Sequence, residues 1–180
     1  SKQIDLGWFD TRFMFDYKNK FLCMDKHLEK TIFEGSQIKS FVVKEDSTPL
    51  IQGDANGLRR HPSNVPSRIM ALAPQVDVYR MQAEQERARE RRDPNYHSPL
   101  FFNIPVPFKN FVIEIRFDHP YWTEFKTATG APDFNNEYPD VNGYLEHYNT
   151  SVRLMEELAA SIMKIAFPGA PELSGNANRK

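Results

Sequence analysis

Phe108-Lys109-Asn110-Phe111-Val112-Ile113-Glu114-Ile115-Arg116-Phe117-Asp118-His119-Pro120-Tyr121-Trp122-Thr123-Glu124-Phe125 is the stretch that decides the fold of this chain. Phe111, Ile113, Ile115 and Phe117 alternate with Val112, Glu114 and Arg116, the period-2 pattern of a strand with one buried face. Asp118-His119-Pro120-Tyr121 stops it, because proline removes a ladder donor and fixes φ while Asp bonds its own backbone. A second strand over 122–127 is expected to run back, which makes a hairpin the organising unit.

Working outward, the pattern stays β-like towards the amino terminus. Residues 8–25 read as a hairpin turning at Asp16-Tyr17-Lys18-Asn19-Lys20. A third run, 30–34, is β-branched and aromatic and ends at Gly35; a fourth follows over 37–45. Four consecutive antiparallel strands are the economical reading, and 48–53 adds a short edge strand. Between 54 and 103 the pattern dissolves under Pro62, Pro66, Pro74, Pro94 and Pro99. Within it, 75–92 lacks Gly and Pro and is rich in helix formers, which predicts a helix. Its apolar residues Val76, Val78, Tyr79, Met81 and Ala83 lie in the first half, and the second half is charged all round.

In the other direction, a loop at 130–139 leads to the strongest helix, 140–167. Asp140 is placed to cap it. Tyr144, Tyr148, Val152, Met155, Ala159, Ile162 and Ala166 form one continuous apolar stripe. Pro168 and Gly169 end the helix, and 169–180 reads as a flexible tail.

At 180 residues, with 40% hydrophobic and 13% aromatic residues, the chain can bury a core and is sized for one domain. A net charge of -1, from 23 basic and 24 acidic residues, provides no global field towards nucleic acid or an anionic membrane. One cysteine, Cys23, excludes an internal disulfide and a cysteine zinc site made by this chain alone. The absence of a long apolar run excludes a spanning helix, and a soluble, cytoplasmic polypeptide is expected. The sequence starts at Ser1, so targeting elements could lie upstream.

The order of these elements resembles a PH-like domain, in which a carboxy-terminal helix plugs the open end of a bent sheet. Met14-Phe15-Asp16-Tyr17-Lys18-Asn19-Lys20-Phe21-Leu22, Phe33-Glu34-Gly35-Ser36-Gln37-Ile38-Lys39-Ser40-Phe41 and residues 111–122 are similar to an uncharacterised bacterial family whose members carry a cysteine zinc ribbon before such a body. This chain has no ribbon cysteines. The resemblance implies an α+β fold, a bent antiparallel sheet of six or seven strands closed by the helix; the pattern along the chain makes this one domain over 1–168, with a helical insertion at 54–103 that the resemblance does not cover.

Chemistry is sparse. The histidines His27, His61, His97, His119 and His147 show no metal-ligand spacing, and neither a phosphate loop, a dinucleotide fingerprint nor a nucleophile elbow is present. No metal, cofactor or catalytic residue is therefore expected. Cys23 reads as a buried small hydrophobe in a strand, and Glu156 with Glu157 as a solvated helix face. Candidate binding residues are Asp118, His119, Tyr121 and Trp122 at the central turn. Arg59 and Arg60, with His61 and Arg68 nearby, could hold phosphate or a carboxylate. Lys18 and Lys20 sit in the first hairpin turn, where lipid-binding PH-like domains gather cations.

Three functions follow as expectations. A protein-binding or scaffolding module is suggested by aromatics near turns, Trp8, Tyr17, Tyr96 and Trp122, the residue types that anchor interfaces. An enzyme would need a loop-assembled site of His119, Asp118, His147 and the insertion arginines. A lipid-headgroup reader would use Lys18 and Lys20, two cations where stable attachment needs more.

Overall fold

A computed structural model describes residues 1–6, 11–26, 29–100, 104–130 and 140–173 of the chain. Trp8, His27, the loop 131–139 and the end of the expected tail, 174–180, lie outside the described residues. The fold is α+β, with two open sheets and a carboxy-terminal helix, and the chain divides into two compact units.

The first unit is Ser1–Ser63, Lys109–Ala131 and Ser151–Lys180. Its first sheet is an antiparallel meander of β1 (Lys2–Asp5), β2 (Thr11–Asp16), β3 (Phe21–Lys26) and β4 (Glu29–Glu34), in that order. Alternation buries Phe13, Phe15, Leu22, Met24 and Phe33 and leaves Met14, Cys23 and Ile32 on the outer face. Cys23 is thus partly exposed, not a core residue, and partial burial still pushes its thiol pKa up.

The second sheet holds β5 (Ile38–Glu45), β6 (Thr48–Asp54), β7 (Gly57–Arg60), β8 (Asn110–Phe117), β9 (Glu124–Gly130) and β10 (Glu172–Leu173), in the order β10-β7-β6-β5-β8-β9. All its pairs are antiparallel except β10 with β7. The quoted stretch is central here: Phe111, Ile113, Ile115 and Phe117 are all buried, as the alternation predicts.

Several expectations change with this topology. In place of one sheet of six or seven strands, a 3-10 turn at Gly35–Gln37 diverts the chain after β4, and β5 pairs with β6 and β8 instead of β4. The run 48–53 is an interior strand, because the turn at 55–56 folds β7 against it and pairing continues to Arg60. Gly57 makes that turn with φ +136°, and a Cβ there would meet the Pro171 carbonyl at 2.4 Å, so β10 closes over it. Ladder irregularities at Ile38/Ser40 and Val43/Lys44 let Ile38 and Phe41, and then Leu50 and Ile51, face inward together despite breaking the period of two. The expected return strand begins at Glu124 instead of Trp122.

Helix α3 (Val141–Ala166) starts where Asp140 Oδ1 accepts the Asn142 N–H at 3.0 Å, the cap the sequence implies. From Met155 to Ile165 it buries Met155, Leu158, Ala159, Ile162 and Ile165 among the elements of the first unit. Both sheets hold it. Tyr17 donates to Ser161 Oγ at 3.0 Å, Lys2 pairs with Glu157, and Arg60 lies 3.6 Å from Glu156. The sheets also meet each other: Phe33 stacks on Phe117 at 4.0 Å, Phe13 meets Phe125 edge-on at 5.9 Å, and the hydroxyls of Thr11 and Thr127 lie 3.1 Å apart.

The second unit is Asn64–Phe108 and Pro132–Thr150. It contains α1 (Val65–Met70), which the proline-rich sequence hid, α2 (Ala73–Arg92) and the first turns of α3. Pro66 sits in the first turn of α1, where its missing N–H costs nothing. Val76 and Ala83 are buried, while Val78 and Met81 are exposed. The charged half of α2 is not bare. Tyr96 donates to Glu86 Oε2 at 2.5 Å, Arg89 to Glu86 Oε1 at 2.9 Å, and the Ser98 N–H to Glu90 Oε1 at 3.0 Å, so the chain after α2 folds back along it. Tyr144 donates to the Phe108 carbonyl at 3.2 Å, and Tyr148 meets Phe108 edge-on at 5.5 Å.

Candidate functional site

The corner between β8 and β9 is built from backbone bonds first. The Phe117 N–H reaches the Thr123 carbonyl at 3.0 Å, and the Asp118 N–H reaches the Gln37 carbonyl at 2.7 Å. Asp118 faces solvent and pairs with Lys39 at 3.2 Å. His119 then ties the turn. Its Nδ1 accepts the N–H groups of Tyr121 at 3.2 Å and Trp122 at 3.1 Å, and its ring stands edge-on to Phe33 at 5.9 Å. An accepting Nδ1 places the proton of the neutral ring on Nε2. The histidine works as a turn brace, so its Nδ1 lone pair is not available as a base or a metal ligand.

Bracing the turn holds Tyr121 and Trp122 outward, 87% and 48% exposed. Beside them runs a groove of about 450 Å³ whose walls come from β3 and β4 on one side and β9 on the other. Met24, Phe33, Phe125 and Trp122 supply its apolar lining, and Lys26, Lys126, Glu29 and Glu124 its charged rim. Lys26 fixes one end, donating to the Lys126 carbonyl at 3.3 Å with its ammonium 5.8 Å from the Phe125 ring centre.

A second groove, about 360 Å³, crosses the outer face of β7, β6, β5 and β8. Lys44, Arg59 and Arg116 line it, but so do Glu114 and Asp54, so the charges nearly balance. Glu114 stands opposite Val42 and Lys126, and its side chain is 10% exposed. Lys44 reaches its Oε2 at 2.7 Å and Lys126 its Oε1 at 2.9 Å. The Lys44 hydrogen bond is the largest cause of a carboxyl pKa held below its ordinary value, opposed by desolvation and helped by Lys126. A depressed folded pKa adds stability that is present above the unfolded value near 4.5 and is lost as pH falls through the folded value. Glu114→Gln should therefore be less stable than wild type at neutral pH, with the gap closing as the pH drops below 4.5. Urea midpoints across that range check it, and a constant gap would contradict the assignment.

The remaining candidates do not assemble into one site. Arg59 and Arg60 are successive strand residues and point to opposite faces. Arg60 is engaged near α3, 3.4 Å from Glu172, while Arg59 lines the outer groove. Arg68 lies exposed in α1 of the second unit. Lys18 and Lys20 are exposed at the β2–β3 turn, where Asp16 accepts the N–H groups of Lys18 at 3.0 Å and Asn19 at 3.2 Å. Tyr17 is tied to Ser161 under Lys164, and Tyr96 to Glu86, so neither stands free as an interface anchor. Glu157 and Glu156 are ion-paired, not merely solvated. His147 belongs to the second unit, and among the described residues no three His, Cys, Asp or Glu side chains gather as a metal site would need.

The sequence reading missed the Lys44–Glu114–Lys126 cluster and the exposed Ile32. Glu114 on the polar face of the best strand was the available signal; Lys126 lies on the return strand of the expected hairpin, and Lys44 comes from a strand whose neighbours the pattern does not reveal. Comparison of the chain with protein-family models, with curated proteins and with solved structures finds no match.

Proposed function

We propose that the chain is a non-enzymatic binding module that takes a protein partner at the Tyr121–Trp122 corner and the groove beside it. One observation carries this reading: two large aromatics are held out in solvent by a turn whose backbone His119 and Gln37 tie down. Pre-set aromatics lose little freedom on binding, and such residues dominate interface energetics. The apolar groove lining suits an extended segment bearing an aromatic or aliphatic side chain, with the mixed-charge rim setting its register. We take the body to be PH-like and related to the ribbon-bearing bacterial family, a reading that rests on the sequence resemblance, and we place it in the cytoplasm. No described helix is long and apolar enough to cross a membrane.

The test is selection of a random peptide library on the immobilised chain, followed by titration of enriched peptides against wild type and Tyr121→Ser/Trp122→Ser. Both side chains are exposed, so the melting temperature should hold while affinity falls about tenfold or more. Equal binding by the double variant, or no enrichment over a blank support, would overturn the reading.

A further inference from the structure

We propose that β4 is a self-association edge, through which two copies of this chain pair antiparallel about a two-fold axis at Ile32. β4 is the terminal strand of its sheet, bonded to β3 on one side and, among the described residues, to no strand on the other. A free edge presents unpaired main-chain donors and acceptors to any strand that fits it. Ile32 stands in the middle of this edge, 65% exposed, and continues an outer-face row that runs from Met14 through Cys23.

The register is decided by side chains. Lys30, Ile32 and Glu34 share the outer face, while Thr31 and Phe33 point inward and line the groove. Centring the two-fold axis on Ile32 sets Ile32 against Ile32 of the second copy, Lys30 against its Glu34, and Glu34 against its Lys30. Slipping the register by one residue opposes outer to inner side chains, which a pleated pair forbids. Moving it by two sets Ile32 against Lys30 or Glu34. Only the Ile32-centred pairing joins apolar to apolar and both charges to their opposites, so the charges that would guard this edge against other strands attract its own copy. Among the described residues Lys30 makes no ion pair, and Glu34 is oriented by the Ser36 hydroxyl at 3.3 Å. The pairing rests on β4 alone and stands or falls independently of the Tyr121–Trp122 corner.

Sedimentation equilibrium of the full chain tests it. Wild type should show a monomer–dimer equilibrium, with the dissociation constant raised roughly tenfold or more by Lys30→Glu and by Glu34→Lys, since each makes both cross-copy pairs repulsive. An equimolar mixture of these two variants should recover the dimer, because every cross-copy pair is again of opposite sign. Ile32→Lys should be monomeric with an unchanged circular dichroism spectrum. If Glu34→Lys disturbs its turn, Lys30→Glu and Ile32→Lys, which both leave the Glu34 carboxylate in place, still read the loss of the dimer. A monomeric wild type at all concentrations, single variants that dimerise as wild type does, or a mixture that stays monomeric would each overturn the proposal.

Discussion

Ile162→Ala is expected to lower stability by about 2 to 5 kcal/mol, a large fraction of the roughly 5 to 15 kcal/mol that holds such a domain. Ile162 is fully buried, as are Met155, Leu158 and Ala159 on the same helix. Elements of both sheets touch α3 along this part: Tyr17 and Lys2 from the first, Arg60 from the second. A cavity there cannot be closed by moving one strand, because the neighbouring residues are tied to two ladders. For a chain of this length the loss corresponds to a melting temperature roughly 5 to 15 °C lower. Arg153→Ala, on the exposed face, should leave it nearly unchanged. Equal shifts for the two variants would show that the helix faces are wrongly assigned.

Gly35→Ala should also be strongly destabilising. A Cβ at this position would lie 2.3 Å from the Ile165 carbonyl oxygen and 2.8 Å from its carbon, both backbone atoms near the end of α3. The Gly35 N–H is already committed to the Lys20 carbonyl at 2.7 Å, so the turn cannot back away without breaking that bond. Overpacking costs about 1 to 3 kcal/mol where side chains can yield, and loss of the hydrogen bond adds about 1 kcal/mol. Gly53→Ala is the informative comparison. Its Cβ would meet the Phe41 ring and the Met163 sulfur, at 2.5 and 2.7 Å, which are side-chain atoms that can rotate. Urea midpoints should therefore fall further for Gly35→Ala than for Gly53→Ala. The reverse order would mean that the Gly35–Ile165 approach is not a constraint on the fold.

The residues of the candidate site were visible in the sequence before their arrangement was. Asp118, His119, Tyr121 and Trp122 follow the best strand and fall in one turn, so their neighbourhood was legible. Their division of labour was not: that His119 gives its Nδ1 to two backbone amides, leaving Tyr121 and Trp122 as the exposed pair, depends on a loop geometry that no periodicity encodes. Arg59 and Arg60 show the opposite failure. Their alternation to opposite faces follows from any strand, but the proline-rich stretch around them obscured that they lie in one.

By itself the sequence determined the elements that local chemistry controls. The alternation of Phe111, Ile113, Ile115 and Phe117 set which face of β8 is buried, and the stripe through Met155, Ala159 and Ile162 set the buried face of α3, because burial period is a property of the single element. Asp140 set where that helix starts. Tertiary structure alone decided which strands are neighbours. A period-2 pattern states that a strand has an inner face but not which edge it shares, so the sequence could not reveal that Gly35–Gln37 turns the chain out of one sheet and into another. The same holds for the pairing of Glu114 with Lys44, which lies far from it along the chain and meets it only because β5 flanks β8. Strand adjacency is a sum of many long-range contacts, each too weak to leave a mark in the local sequence, and it is adjacency that leaves β4 at an edge and sets Trp122 beside a groove.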